Sequence, residues 1–470
     1  MVHRENYAWL ILGFAAINVI FLGGKRRAFG IFVAQLRGEF RGTSLTELNW
    51  IGDSYAALGY LTTSLSTKLI LKYNRCYHLS QAIGSGFIFI SCILSAYVSN
   101  PHWLFLTHTV LHGIGSSAIL ATVGLVVNEH FDKDHKYHIL ATTLISGGSI
   151  ASIMFVQLYA YLIETYSWRS AFIILGFIYL FVNISASFVF EKKQKNSNND
   201  SVAKFETEEN LKRLKTSRKS LLILWAIDRM LTSIVTYGML LNLADYKHQE
   251  ESSLQKSALL TTLFAAGEAV TYVIGTLATA LTKNFLRDKL KYILFVSSFC
   301  MAILLLIWEF NSNNNILSHF LAFGTGFCLG PSITFLFPAS EEMTQLSGHV
   351  SYPFSLGFMG VGMIISPCLT AFIAERFMYK FFFCVQGLLM LLKAMCLLGA
   401  ILISKRTLAY SSRDYVRAKT TDEEDSLIQN NFDNDTNENE DLNGSDSEND
   451  FVKDDFTKKW NQLKEKSYYK

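Results

Sequence analysis

Several ionisable side chains of this 470-residue chain fall inside long apolar stretches, where charge is costly and marks working residues. The first group is Lys25-Arg26-Arg27, within FLGGKRRAFGIFVAQL. Arg27 follows Tyr7 by 20 residues, about 30 Å along a helix at 1.5 Å per residue. This predicts a triplet near the outer end of the first span. Successive residues turn by about 100°, so the three cannot share one cavity. One is expected to snorkel to lipid headgroups, and Arg27 is the candidate to face and orient a substrate. Glu268 is the lone carboxylate of SALLTTLFAAGEAVTYVIGTLATAL. A carboxylate that alternates between wet and dry surroundings can carry or gate a proton, and Tyr272 shares its helix face one turn on. That places Tyr272 to bond either the carboxylate or a substrate.

Asp228 and Arg229 open the seventh apolar run. As neighbours they are expected to diverge, and they serve better as a gate or an inter-helix tether; Asp53 in the second run is similar. His108 and His112 are spaced to share a helix face. The spacing suits a metal, but no carboxylate accompanies the pair, so contact with substrate or proton relay is the sharper reading, with His108 foremost. Asn18 is a further cavity candidate, and Lys393 in the last run has no assigned role.

The elements that position these residues follow from composition. Half of the chain is apolar and 17% is charged, against about 25% in soluble proteins. Much of the charge is confined to residues 191–219 and 421–455. A membrane span needs about 20 apolar residues, and such runs cover 7–36, 48–71, 79–98, 103–127, 139–163 and 171–190. Six more cover 221–243, 258–281, 292–308, 317–337, 352–374 and 381–403. The fold class expected is therefore all-α, a polytopic membrane protein of twelve transmembrane helices in two six-helix halves. The organisation expected is a half at 1–190, a cytosolic central loop at 191–220, a half at 221–404 and an acidic, disordered cytosolic tail at 405–470. With the N-terminus inside, inward connections hold about twenty Lys and Arg and the outward set far fewer, so both termini are expected in the cytosol.

Composition also excludes. A net charge of +3 without a basic stripe argues against a nucleic-acid partner. Seven dispersed cysteines form neither a disulfide framework nor a zinc pattern, and the first apolar run is too long for a cleaved leader. No Walker loop, nucleophile elbow or metalloprotease helix is present. The chain reads as no enzyme, with no cofactor, and its work as driven by gradients. Two six-helix halves joined by a cytosolic loop is the layout of a rocking transporter with its solute near the midplane.

Four segments carry a resemblance. ETYSWRSAFIILG at 164–176 resembles the Trp-Arg-small-Ala-Phe start of a span in the monocarboxylate transporter family, a branch of the major facilitator superfamily. AFGIFVAQLRGEF at 28–40 with ELNWIGDSYAALGYL at 47–61, HFDKDHKYHILATTLISGGSIAS at 130–152 and KSALLTTLFAAGEAV at 256–270 are similar to the same family, in the same order. The resemblance covers about residues 5–405. It implies the major facilitator fold and alternating-access transport of a small organic solute, monocarboxylates first, with possible proton coupling. Arg27 matches the basic residue that meets an anionic substrate, and Glu268 the carboxylate of the eighth span. The arginine usually found one turn later is Tyr272 here, and the opening of the first span is degraded to RENYAW.

These departures keep open a uniporter of a neutral or zwitterionic solute of the aromatic amino acid, thyroid hormone or creatine class, and a non-transporting sensor or scaffold. The resemblance also implies a single-span ancillary subunit as a candidate partner. In the tail, EEDSLI at Glu423–Ile428 resembles an acidic dileucine signal for a sorting adaptor. The plasma membrane is the expected location, with the endosomal or lysosomal membrane as the alternative.

Overall fold

The computed structural model describes residues 2–40, 42–147, 152–192, 216–248, 254–282, 285–308, 315–376 and 381–404. They fall within one compact unit, Met1–Ser404. Most of the central loop and the whole tail, with the Glu423–Ile428 segment, lie outside the described residues. Helices occupy nearly all of what is described: α1 (Val2–Glu39), α2 (Leu45–Lys72), α3 (Tyr77–Ala96), α4 (Leu111–His130), α5 (His138–Ser146), α6 (Ser152–Tyr166) and α7 (Trp168–Ser187). They continue as α8 (Thr216–His248), α9 (Leu254–Thr282), α10 (Leu290–Ile307), α11 (Asn315–Thr334), α12 (Leu336–Thr344), α13 (Gly348–Arg376) and α14 (Phe381–Ser404).

Ten of these helices are long and apolar enough to cross a membrane, by length and composition. The two other expected spans correspond to α2, which is long but carries Glu47, Asp53 and Lys68, and to the pair α5–α6, whose members have 9 and 15 residues. The tenth expected span is also interrupted: α11 contains Pro331, which cannot donate a backbone bond, and the helix re-forms after Phe335 as α12. A π-helical turn, Phe105–Val110, leads into α4.

Helix ends are set by local chemistry. Ser44 Oγ accepts from the Glu47 amide at 3.1 Å and starts α2, and Ser167 Oγ does the same for Ser170 at the start of α7. The Trp-Arg pair that opens α7 is a clasp. Trp168 Nε1 donates to Glu39 Oε2 at 2.6 Å, and Arg169 reaches Glu39 Oε1 as well as the carbonyls of Ala96 and Val98, joining the C-terminal ends of α1 and α3 to the start of α7. The indole N–H and the guanidinium hold the Glu39 carboxyl below its usual range.

Within the first half α2 and α3 pack on α4, α3 on α7 and α1 on α6; within the second, α9 packs on α11 and α8 on α13. The halves meet mainly through α2 with α13, and through α5 with α9 and α12. Close crossings use glycine: a Cβ at Gly267 would strike the Phe323 carbonyl, and one at Gly326 the Phe264 carbonyl, so α9 and α11 meet backbone to backbone. The largest buried apolar cluster belongs chiefly to the first half but includes Tyr237, Leu336, Phe337, Tyr352, Leu356, Met359 and Met363 from the second. Outward faces remain apolar: Phe177, Phe181, Ile184 and Phe188 form an exposed stripe along α7 that suits lipid and would not suit water.

Candidate solute site

The residues of the triplet occupy three different surroundings, set by the helical turn between them. α1 runs three further turns past Arg27 to Glu39, and all three members of the triplet bond to protein partners, so none snorkels. Lys25 is 1% exposed; its Nζ lies 3.0 Å from His112 Nδ1 and 3.5 Å from Cys92 Sγ, inside the first half. Arg26 and Arg27 line a cavity of about 50 Å³ between the halves, bounded by α1, α2, α4 and α5 on one side and α8, α11, α12 and α13 on the other. A single water needs about 10–15 Å³ on this measure. The cavity has room for a few waters.

Arg27 and Glu268 form a bidentate ion pair across the halves. Arg27 Nη2 donates to Glu268 Oε1 at 3.0 Å and Nη1 to Oε2, with side chains 3% and 0% exposed. The planar fork matches the carboxylate and leaves neither oxygen free of the guanidinium. Arg26 is turned to aromatic neighbours. Its Nη1 donates to the Tyr60 hydroxyl, and its guanidinium lies 5.1 Å from the Tyr60 ring centre and 5.6 Å from that of Tyr237.

The other candidates are placed as follows. Tyr272, one turn from Glu268, donates to the Leu144 carbonyl at 2.9 Å, tying α9 to α5, and its ring fills the space beside Gly147. It bonds neither Glu268 nor the cavity. Asn18 donates to the Phe14 carbonyl at 2.7 Å and accepts from Gln81 Nε2 at 2.7 Å, an α1–α3 contact away from the cavity. His108 is fully buried between Phe29 and Tyr55, with ring centres 4.7 Å from each, and is stacked 5.5 Å from His112. Tyr55 stands between this pair and the cavity. Among the described residues no group of three His, Cys, Asp or Glu is placed to hold a metal.

Asp228 and Arg229 do not diverge as adjacency predicted. The arginine chain curls back so that Nε donates to Asp228 Oδ2 at 2.6 Å, while Nη1 reaches the Ser332 carbonyl at 2.9 Å and the guanidinium stacks 4.1 Å over Trp225. Lys393 Nζ donates to Ser332 Oγ at 2.6 Å. This cluster binds α8, α11 and α14 within one half.

Sequence reading missed a second charged contact between the halves. His138 Nε2 lies 2.5 Å from Glu341 Oε2, and Lys133 Nζ donates to the Leu346 carbonyl at 3.1 Å. Burial disfavours the imidazolium, but the Glu341 carboxylate and the Phe131 carbonyl outweigh it and raise the His138 pKa. Next to it, burial pushes the Glu342 carboxyl up to about 7 against two backbone amides and Lys291. A histidine at the start of one span and a carboxylate at the end of another were the only signals, and nothing in their spacing pairs them.

Comparison with known proteins gives this arrangement a family. Monocarboxylate transporter 14 of Homo sapiens is 28% identical over 178 residues, 37% of this chain and 33% of that protein. Monocarboxylate transporter 2 of Homo sapiens is 23% identical over 184 residues, 39% and 37%. The chain thus spans little more than a third of these relatives. The solved structure of the proton:xylose symporter XylE bound to 6-bromo-6-deoxy-D-glucose shares the fold, with a TM-score of 0.58 at 15% identity over 83% of this chain and 95% of that one. The family model described as Major Facilitator Superfamily matches residues 11–352. The chain is a multi-pass membrane protein and belongs to the Major Facilitator Superfamily of membrane transporters.

Proposed function

We propose that the protein moves a small organic solute, in the first instance a monocarboxylate, by alternating access with proton coupling at Glu268. The observation that carries this reading is the buried Arg27–Glu268 pair, whose arginine lines a cavity between the halves. While the pair is intact the two halves are tied beside the solute. Protonating Glu268 removes one charge of the pair, frees the Arg27 fork and lets the halves part. The similarity to proteins named monocarboxylate transporters supports the solute class.

The test is uptake into proteoliposomes of lactate, pyruvate, aromatic amino acids and creatine, each with and without an inward proton gradient. Proton-stimulated entry of lactate or pyruvate, lost in Glu268→Gln, is the expected outcome. Gradient-independent entry of a neutral or zwitterionic solute would replace it with the uniporter reading, which the neutralisation of Arg27 by Glu268 favours. No entry of any solute would favour the sensor or scaffold. The same proposal takes the plasma membrane as the location, on the similarity to proteins named monocarboxylate transporters, and both termini as cytosolic, on the distribution of Lys and Arg.

A further inference from the structure

Two helices that wall the cavity also join the halves beyond it. Ser146 of α5 and Leu336 of α12 line the cavity. His138 opens α5 and Glu341 lies near the end of α12, roughly 12 and 8 Å along their helices from those wall residues. Between cavity and contact, the Phe337 amide donates to Ser146 Oγ at 3.3 Å. Beyond the contact, Lys133 Nζ donates to the Leu346 carbonyl, and Gly348 is so tightly seated that a Cβ there would lie 2.6 Å from Glu341 Oε1 and 2.7 Å from Asn128 Oδ1 of α4. His138 precedes the fifth expected span and Glu341 follows the tenth, which is the cytosolic side in the orientation proposed above. Opening the cavity to the cytosol separates α5 from α12 and breaks this contact.

The contact needs a proton. His138 Nδ1 lies 2.7 Å from the Phe131 carbonyl and Nε2 2.5 Å from Glu341 Oε2. Both oxygens are acceptors when the carboxyl is ionised, so only the imidazolium, which donates from both nitrogens, satisfies the two. A neutral ring keeps one bond and turns a lone pair on the other oxygen. Glu341 Oε1 has no hydrogen-bond partner, so a neutral ring leaves this buried carboxylate without its cation. α5 packs on α1, α4, α9, α11 and α12. Among the described residues, Glu341 is the acid that faces His138, and Lys133, in the turn before α5, is the base that acts on it. Asp132, Asp134 and Lys136 of that turn are exposed, and His135 accepts from the Tyr137 amide. The neighbouring acids are engaged: Glu129 of α4 by Arg75 and Tyr77, Glu268 of α9 by Arg27, and Glu342 of α12 by the Leu290 and Lys291 amides.

We propose that His138 and Glu341 form a latch read by cytosolic pH: acid in the cytosol holds the halves together there and slows the opening of the cavity to that side. The proposal rests on the alternating-access reading. In a proton-coupled importer such a latch is a brake, because the acid that transport brings in retards the next opening.

The experiment places Ala56→Cys in the cavity wall of the full-length chain and labels it with a membrane-impermeant maleimide added to the cytosolic face of inside-out vesicles. Rates are read at cytosolic pH of about 5.5 and about 8.5, which bracket the histidine range. Labelling of the native cysteines in wild type is subtracted, and rates are divided by those of the exposed Arg287→Cys, which removes the pH dependence of the thiol itself. With His138 present the cavity is expected to label at least about threefold more slowly in acid, and one proton allows at most about tenfold per pH unit. His138→Gln, whose amide donates at any pH, should label at rates that do not change with pH. His138→Arg keeps the charge at any pH and should label slowly at both values; it serves where His138→Gln fails to fold. A full acid response in His138→Gln or His138→Arg, faster labelling in acid, or equal rates with His138 present would overturn the latch and leave the transport reading standing. A cavity that labels from neither face at any pH would overturn both.

Discussion

At Glu268 the chain places a carboxylate with no exposure to solvent, held at both oxygens by one guanidinium from the other half. Breaking such a pair from one side strands a buried charge and costs about 3–5 kcal/mol, whereas replacing both members is far milder. Arg27→Gln is therefore expected to lower the melting temperature more than the double variant Arg27→Gln/Glu268→Gln, as read by size-exclusion thermal denaturation. Equal losses would mean the pair is solvated. Both members were legible as residue types, because charges inside apolar runs stand out. Their partnership was not, since they lie 241 residues apart and only packing brings α1 against α9. The expected divergence of Asp228 and Arg229 failed for a different reason. The angle between neighbours describes Cβ directions, and a long arginine chain can reverse its own.

At the scale of elements, the start of α5 and the end of α12 are joined by His138 and Glu341, with Lys133 bonded to the chain after α12. The raised pKa of His138 means the pairing is complete in acid and is lost as pH rises through that value. Glu342, pushed up to about 7 by burial, faces Lys291 and the start of α10. Spin labels at Lys133→Cys and Leu346→Cys should report a shorter distance at pH 5.5 than at pH 8.5, both within roughly two units of the ordinary histidine value. His138→Gln should flatten most of that change; a response of full size in His138→Gln would assign it to Glu342. Glycine at helix crossings makes another element-scale prediction. Gly326→Ala drives a methyl into the Phe264 carbonyl and should cost about 1–3 kcal/mol by overpacking, seen as a lower melting temperature. The end of α5 at Ser146 was not legible in the sequence, because the expected span continues across it.

For the molecule as a whole, the hydropathy pattern was enough to read the helical membrane fold, since lipid selects helices whose outward faces stay apolar. It did not reveal which helices meet across the halves, because α2 against α13 is a choice of packing partner and leaves no periodic trace. The apolar cluster that runs from the first half into Tyr237, Tyr352, Met359 and their neighbours has a thermal consequence. If the halves part as the proposed transport requires, that surface meets water, and exposed apolar surface raises heat capacity. The opened form therefore holds more heat per degree than the closed one. The closed form is most favoured at an intermediate temperature and yields on both warming and cooling, so a van't Hoff plot of the opening equilibrium should curve.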